Sequence, residues 1–447
     1  MAGTARTRAW LTAAVALVAL VAVLVVAVPG GDRARQAAPP PSPSTTPSAA
    51  TAAAKAASTE QIRELLNRRA QAVLHRDEEA FLDGIDPRAD PRFVRSQREL
   101  FANLARVPLA EWRYRLDPAA PADLSRVSGR GDAGGARLWA PRVSLEYALA
   151  GVDKTPTSRP MGYLFVHRAG RWYLRSDTAL RSSGRETWRG PWDFGPCVAF
   201  PTGSGLVLAH PSRTETARRL AAELDPAVRA VTDVWGDGWS RRVALWLPDT
   251  AEEMRALVGP KFRIEGIVAA AVADRVDRPS HSAWGQRVVV SPGGAEQLSD
   301  ESLRVVLRHE ITHIAARGDT VDGAPMWLLE GFADYVGYRE TDVPMAHAAP
   351  VLAASVRTHG LPNALPSDQD FAAGGAALDL AYQRSWSLSR YIAEGFGEPK
   401  LLEFYRRIAG IGPVGKSTMD AVLREVLGID RGGLLRGWRE YLRHGFG

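Results

Sequence analysis

His309 and His313 stand four residues apart in Arg308-His309-Glu310-Ile311-Thr312-His313. On a helix that spacing projects both imidazoles from one face, one turn above the other. Two imidazoles so placed can hold one zinc ion, and Glu310 beside them can reach a metal-bound water as general base. A third donor follows in Pro325-Met326-Trp327-Leu328-Leu329-Glu330-Gly331. Glu330, on a second helix anchored by Trp327 and Leu328, completes three protein ligands and leaves a fourth position for water. Asp334 lies one turn further along the same face, where it can accept the remaining N–H of a ligand histidine and fix its tautomer. Gly331 and Ala333 permit the two helices to approach closely.

The elements that must position these groups are legible in outline. Ser299 or Asp300 is a good N-cap for the helix carrying the histidines, and Asp300 and Glu301 suit the positive end of its dipole. Gly318 reads as its C-cap residue. Pro325 fits the start of the second helix, where a missing N–H costs nothing. Upstream the pattern alternates: strands at Leu206–Ala209, Val243–Leu247, Ile267–Ala273 and Arg287–Val290, with helices at Thr214–Trp235, bent near Pro226, and Thr250–Val258. The stretch Leu401–Phe446 reads as helical and Arg-rich.

His309-Glu-Ile-Thr-His313 followed by Trp327-Leu-Leu-Glu330-Gly-Phe-Ala-Asp334-Tyr335 resembles the gluzincin metallopeptidases, especially the bacterial group called peptidase MA-like. The resemblance runs from about Leu206 to the C-terminus and is tightest at the two motif helices. It implies a zincin-type α+β domain, a mixed sheet with the motif helix and a C-terminal helical subdomain. It also implies Zn2+ held by His309, His313 and Glu330, Glu310 as general base, and Asp334 as partner of His309. Tyr382-Gln383-Arg384-Ser385 resembles the helix that supplies a phenol in related aminopeptidases, which implies that the Tyr382 O–H stabilises an oxyanion. One departure stands out. Those enzymes carry a glycine-rich acidic segment that binds a free amino terminus, whereas Glu265-Gly266-Ile267-Val268-Ala269-Ala270-Ala271 offers only Glu265, at the wrong end. Such an edge strand can still take a peptide by β-addition, so the choice between endo- and exopeptidase stays open.

The rest of the chain sets the context. The net charge of +6 is concentrated at the start: residues 1–57 hold five basic residues against one acidic. The globular remainder is nearly balanced and carries no electrostatic footprint for nucleic acid. The single cysteine, Cys197, reads as a packing residue in a loop entering a strand. Arg6 and Arg8 precede an apolar run from Leu11 to Val28, which as a helix spans about 27 Å, close to the hydrocarbon core. The basic flank favours a cytoplasmic amino terminus. A cleaved signal peptide is the competing reading, and in either case the remaining chain is exported. Pro, Ala, Ser and Thr then dominate up to residue 57, the composition of a spacer.

The expected organisation is a cytoplasmic start (1–9), a transmembrane anchor (10–28), a linker (29–57), an α+β accessory domain (58–183) and a metallopeptidase domain (190–447). Within the accessory domain, a helix begins at Ser58 with Thr59 as N-cap and a second covers Pro91–Ala105. Strands follow at Glu111–Leu116, Arg137–Leu149, Gly162–Val166 and Arg171–Arg175, the last two forming a hairpin. Helices followed by a curved antiparallel sheet resemble the cone-like nuclear-transport-factor-2 superfamily. Together these readings describe a membrane-anchored, extracytoplasmic zinc peptidase acting on a peptide or protein, with oligomeric state open. The rivals are an inactive zincin-fold binding or scaffold protein and a zinc hydrolase of a non-peptide substrate.

Overall fold

The computed structural model describes residues 49–125, 127, 136–260, 262, 264, 266–372 and 374–446. The expected cytoplasmic start, the transmembrane anchor and Glu265 lie outside the described residues. Among the described residues no helix is long and apolar enough to cross a membrane.

Three helices lead the chain: α1 (Ala49–His75), α2 (Glu78–Asp83) and α3 (Pro91–Asn103). α1 already runs at Ala49, so residues 49–57 of the expected linker are helical. Ser58 and Thr59 are interior positions whose hydroxyls bond the Ala54 and Lys55 carbonyls, each at 2.8 Å. Alanine's high helix propensity accounts for the earlier start. Six strands follow: β1 (Leu109–Asp117), β2 (Arg137–Trp139), β3 (Arg142–Leu149), β4 (Thr157–Met161), β5 (Leu164–Arg168) and β6 (Arg171–Ser176). They form two antiparallel three-stranded sheets, β1-β3-β4 and β2-β5-β6, rather than one curved sheet. The strand expected over Arg137–Leu149 is broken at Ala140-Pro141, because proline cannot donate to a ladder. The β5–β6 hairpin is present. Its central residues Ala169 and Gly170 have φ of 46° and 80°, the signature of a type I′ turn.

The second part of the chain is built on a mixed five-stranded sheet, β10-β13-β9-β8-β7. Its strands are β7 (Val198–Thr202), β8 (Gly205–Ala209), β9 (Val243–Leu247), β10 (Ala269–Val272) and β13 (Arg287–Val290). β8, β9 and β13 are parallel neighbours, while β7 and β10 pair antiparallel at the two edges. The sheet is threaded by α4 (Thr214–Trp235) and α5 (Ala251–Val258), and a small hairpin, β11 (Arg275–Asp277) and β12 (Ser282–Trp284), links β10 to β13. Helices complete the chain: α6 (Asp300–Ala316), α7 (Met326–Tyr338), α8 (Met345–Ala348), α9 (Pro350–His359), α10 (Asp368–Phe371), α11 (Ala376–Phe396), α12 (Glu398–Ala409), α13 (Lys416–Leu427) and α14 (Arg431–Phe446).

Alternation along the central strands assigns the two sheet faces to different cores. Val207, Leu245 and Val288 face a core shared with α4, α6 and α7. Leu208, Trp246 and Val289 face a core shared with Trp112, Tyr147 and Trp192 of the preceding part. The N-terminal unit therefore covers one face of the sheet, and the helices carrying the motif cover the other.

Candidate metal centre

α6 starts at the Ser299 cap, whose Oγ accepts the Ser302 N–H at 3.1 Å. It does not end on a glycine cap. Arg317 holds helical angles, and Gly318 instead lies where a Cβ would stand 2.1 Å from the His281 carbonyl oxygen. Close packing requires the glycine there, without a positive φ. α7 begins after Pro325, and Arg308 of α6 donates to the Arg339 carbonyl at its far end, 2.7 Å away. α7 is backed by α11 at a contact without slack: a Cβ on Gly331 would lie 2.4 Å from the Ser385 carbonyl oxygen. Glu330, the neighbouring residue, is held at a depth this contact sets.

The expected ligands converge. His309 and His313 Nε2 are 3.0 Å apart, and Glu330 Oε2 is 3.3 Å from the first and 3.5 Å from the second. The three donor atoms lie within 4.8 Å of one another, and among the described residues this is the one trio of its kind. Asp334 Oδ1 sits 2.7 Å from His309 Nδ1. This contact makes Nδ1 the donor and leaves the Nε2 lone pair facing the other two groups. Glu310 and Glu330 are fully buried, and none of their four carboxylate oxygens makes a hydrogen bond of good geometry.

Charge completes the test of whether a cation fits. Burial raises the Glu310 carboxyl above its ordinary value, against the pull of the His309 and His313 imidazoles. Burial raises Asp334 as well, although His309 draws it down. Glu330 is also pushed up by burial, but His313 and His309 outweigh this and hold it below the usual range. Burial lowers His309, yet Asp334 and Glu330 carry it well above the ordinary imidazole value. Three buried carboxyl groups face two imidazoles, with orphaned oxygens aimed inward. That is an environment a dication would relieve. Two imidazole nitrogens and one carboxylate oxygen are the donor set of an open zinc site.

Tyr382 lies on α11 one turn before Ser385, with its ring edge-on to Phe371 at 5.2 Å and 7% exposed. Ser385 marks the α11 face turned to α7, so Tyr382 shares that face. Cys197 is buried as expected, with its thiol pushed up by burial. Two features escaped the sequence reading. The backbone of Ala271, on β10, faces Glu310, and only the three-dimensional register reveals it. His210 is buried with Nε2 2.9 Å from Glu253 and Nδ1 2.9 Å from the Pro196 carbonyl. A lone histidine after a strand carries no pattern that would have exposed this pair.

Residues 279–444 match the family model of the Peptidase MA superfamily, which bears out the resemblance read from the two motif helices. No curated protein matches the chain. Among solved structures, an M1 zinc metallopeptidase from Deinococcus radiodurans is 15% identical, with 68% of this chain and 61% of that one covered and a TM-score of 0.31. A mutant of the Deinococcus radiodurans enzyme bound to a Tyr-Ser-Ala substrate is 15% identical over 53% of this chain and 48% of that one, with a TM-score of 0.28. The chain thus spans between about half and three fifths of the length of these structures.

Proposed function

We propose that this chain is a zinc-dependent metallopeptidase that hydrolyses peptide bonds, with His309, His313 and Glu330 as ligands. The observation that carries the reading is the convergence of those three donors beside the fully buried carboxylate of Glu310. The family match over residues 279–444 supports it.

Zinc, when bound there, supplies a Lewis acid that polarises the scissile carbonyl and acidifies a water. Glu310 is placed to take that water's proton and return it to the leaving amine; its burial, which favours the protonated form, suits the second task. Asp334 holds His309 in the tautomer that turns Nε2 inward. Tyr382 is the candidate donor to the oxyanion. β10, at the open edge of the sheet beside Glu310, is the candidate strand for an extended peptide.

The apolar run Leu11–Val28 behind Arg6 and Arg8 supports a single-pass anchor with the peptidase part outside the cytoplasm. The N-terminal unit, helices followed by antiparallel strands, reads as an accessory domain of the nuclear-transport-factor-2 type. The test is a peptide-library digest with purified protein, its Glu310→Gln variant and metal analysis of both. We expect one zinc per chain in each, with hydrolysis lost by about a thousandfold or more in the variant. Zinc-free wild-type protein, or equal hydrolysis by the variant, would remove the proposal.

A further inference from the structure

The N-terminal unit does more than cover the sheet: it grips one end of the strand that lies beside Glu310. β10 is an edge strand, paired among the described residues with β13 alone. Its last residue, Val272, pairs with Arg287, the first of β13. Arg287 is 1% exposed and forms a two-pronged ion pair with Asp153, at 2.8 and 2.7 Å. Asp153 belongs to the turn between β3 and β4, where its Oδ2 also accepts the Leu149 N–H at 2.8 Å. Two residues beyond Val272, Asp274 accepts from Thr157 and pairs with Arg159, both on β4. Asp274 N–H donates to the Trp284 carbonyl at 3.0 Å, closing the base of the β10–β13 connection. There is no room to slip: a Cβ on Gly285 would lie 2.2 Å from Asp274 and 2.6 Å from Thr157.

We propose that the β3–β4 hairpin is a positioning clamp, with Asp153 and Arg159 setting the height of the edge strand over Glu310 through Arg287 and Asp274. The proposal rests on the peptidase reading for its functional half. A buried ion pair at Arg287 and a partly buried one at Asp274, both reaching from one hairpin to the two sides of the β10–β13 connection, are a costly way to hold a surface that needs only covering. They are a direct way to fix where a strand-bound peptide lies relative to the general base, because a peptide added to β10 takes its position from that strand's backbone. Asp153, Thr157, Arg159, Asp274 and Arg287 act through the strand and do not touch the reacting atoms.

The experiment compares wild type with Arg159→Gln, Asp153→Asn and the conservative Arg159→Lys. Arg171→Gln, which loses an exposed pair with Asp83 on the same unit, is the control. Deuterium exchange over residues 269–272 and KM and kcat for an extended peptide are measured at verified zinc content. In both clamp variants we expect exchange to rise by about tenfold and KM to rise severalfold with kcat nearly kept. Arg159→Lys should restore both, and the control should move neither. Should Asp153→Asn fail to fold, the less buried Arg159 pair decides. Unchanged exchange in Arg159→Gln overturns the clamp, and raised exchange with unchanged KM overturns its role in positioning. If wild type hydrolyses no peptide, the peptidase reading fails by itself, and exchange alone decides whether the clamp exists.

Discussion

Glu330 brings two carboxylate oxygens into a fully buried space, with Oε2 3.3 Å from His309 Nε2 and 3.5 Å from His313 Nε2. Beside it, the His309 and His313 nitrogens stand 3.0 Å apart with one lone pair already aimed inward by Asp334. Asp334→Asn keeps the shape but weakens the acceptor that holds His309. Zinc affinity, read by competition with a chelator, should fall by about 10- to 100-fold while the fold survives. An unchanged affinity would mean that the contact is incidental. At this scale the sequence was most legible. The i, i+4 histidines and the Glu330–Asp334 spacing are local facts of helix geometry, and a helix reproduces them wherever it is placed. What residue types alone could not supply was Ala271, a backbone group brought to Glu310 by strand register, and the burial of His210 against Glu253.

The α7–α11 contact is where an element controls a residue. A Cβ at Gly331 would meet the Ser385 carbonyl at 2.4 Å and the Ser389 hydroxyl at 2.7 Å, and a backbone carbonyl cannot rotate away. Gly331→Ala should therefore cost about 1–3 kcal/mol of stability by overpacking. Because the displaced helix turn carries Glu330, zinc affinity should drop along with the melting temperature. A variant that melts normally and binds zinc normally would show the helices to be looser than drawn. Glycine beside Glu330 signalled close packing in the sequence, but its partner was invisible, since Ser385 lies 54 positions downstream. Element boundaries followed the same logic. Val243–Leu247 and Thr214–Trp235 matched because their apolar patterns are strong. The strand over Arg137–Leu149 was divided by Pro141, and α1 ran back through alanines that composition had assigned to a spacer.

At the scale of the whole molecule, the sheet has two covers, and its own elements are tied together by more than apolar packing. His210, 4% exposed, joins the end of β8 to Glu253 on α5 and to the chain entering β7. Burial lowers its pKa, but the hydrogen bond and charge of Glu253 prevail and raise it above the ordinary 6.5. A group whose folded pKa is raised contributes stability that is full below its unfolded value and is lost as pH rises through the folded one. The urea midpoint of wild type should exceed that of His210→Gln most at pH 6, and the gap should narrow as pH is taken to 9. A gap that widens with pH would contradict the pairing. None of this could be read from periodicity: buried parallel strands show continuous apolar runs, which reveal burial on both faces but not what buries them. The two faces also differ in when they are satisfied. Trp112, Tyr147 and Trp192 precede Leu208, Trp246 and Val289 in the chain, so during synthesis the cover leaves the ribosome before the sheet it shields, whereas α6 and α7 arrive after it. On that face only α4 is made in time to pack against the sheet, so a nascent chain stalled before α6 would leave it part-covered, a sticky intermediate on the side that receives α6 and α7.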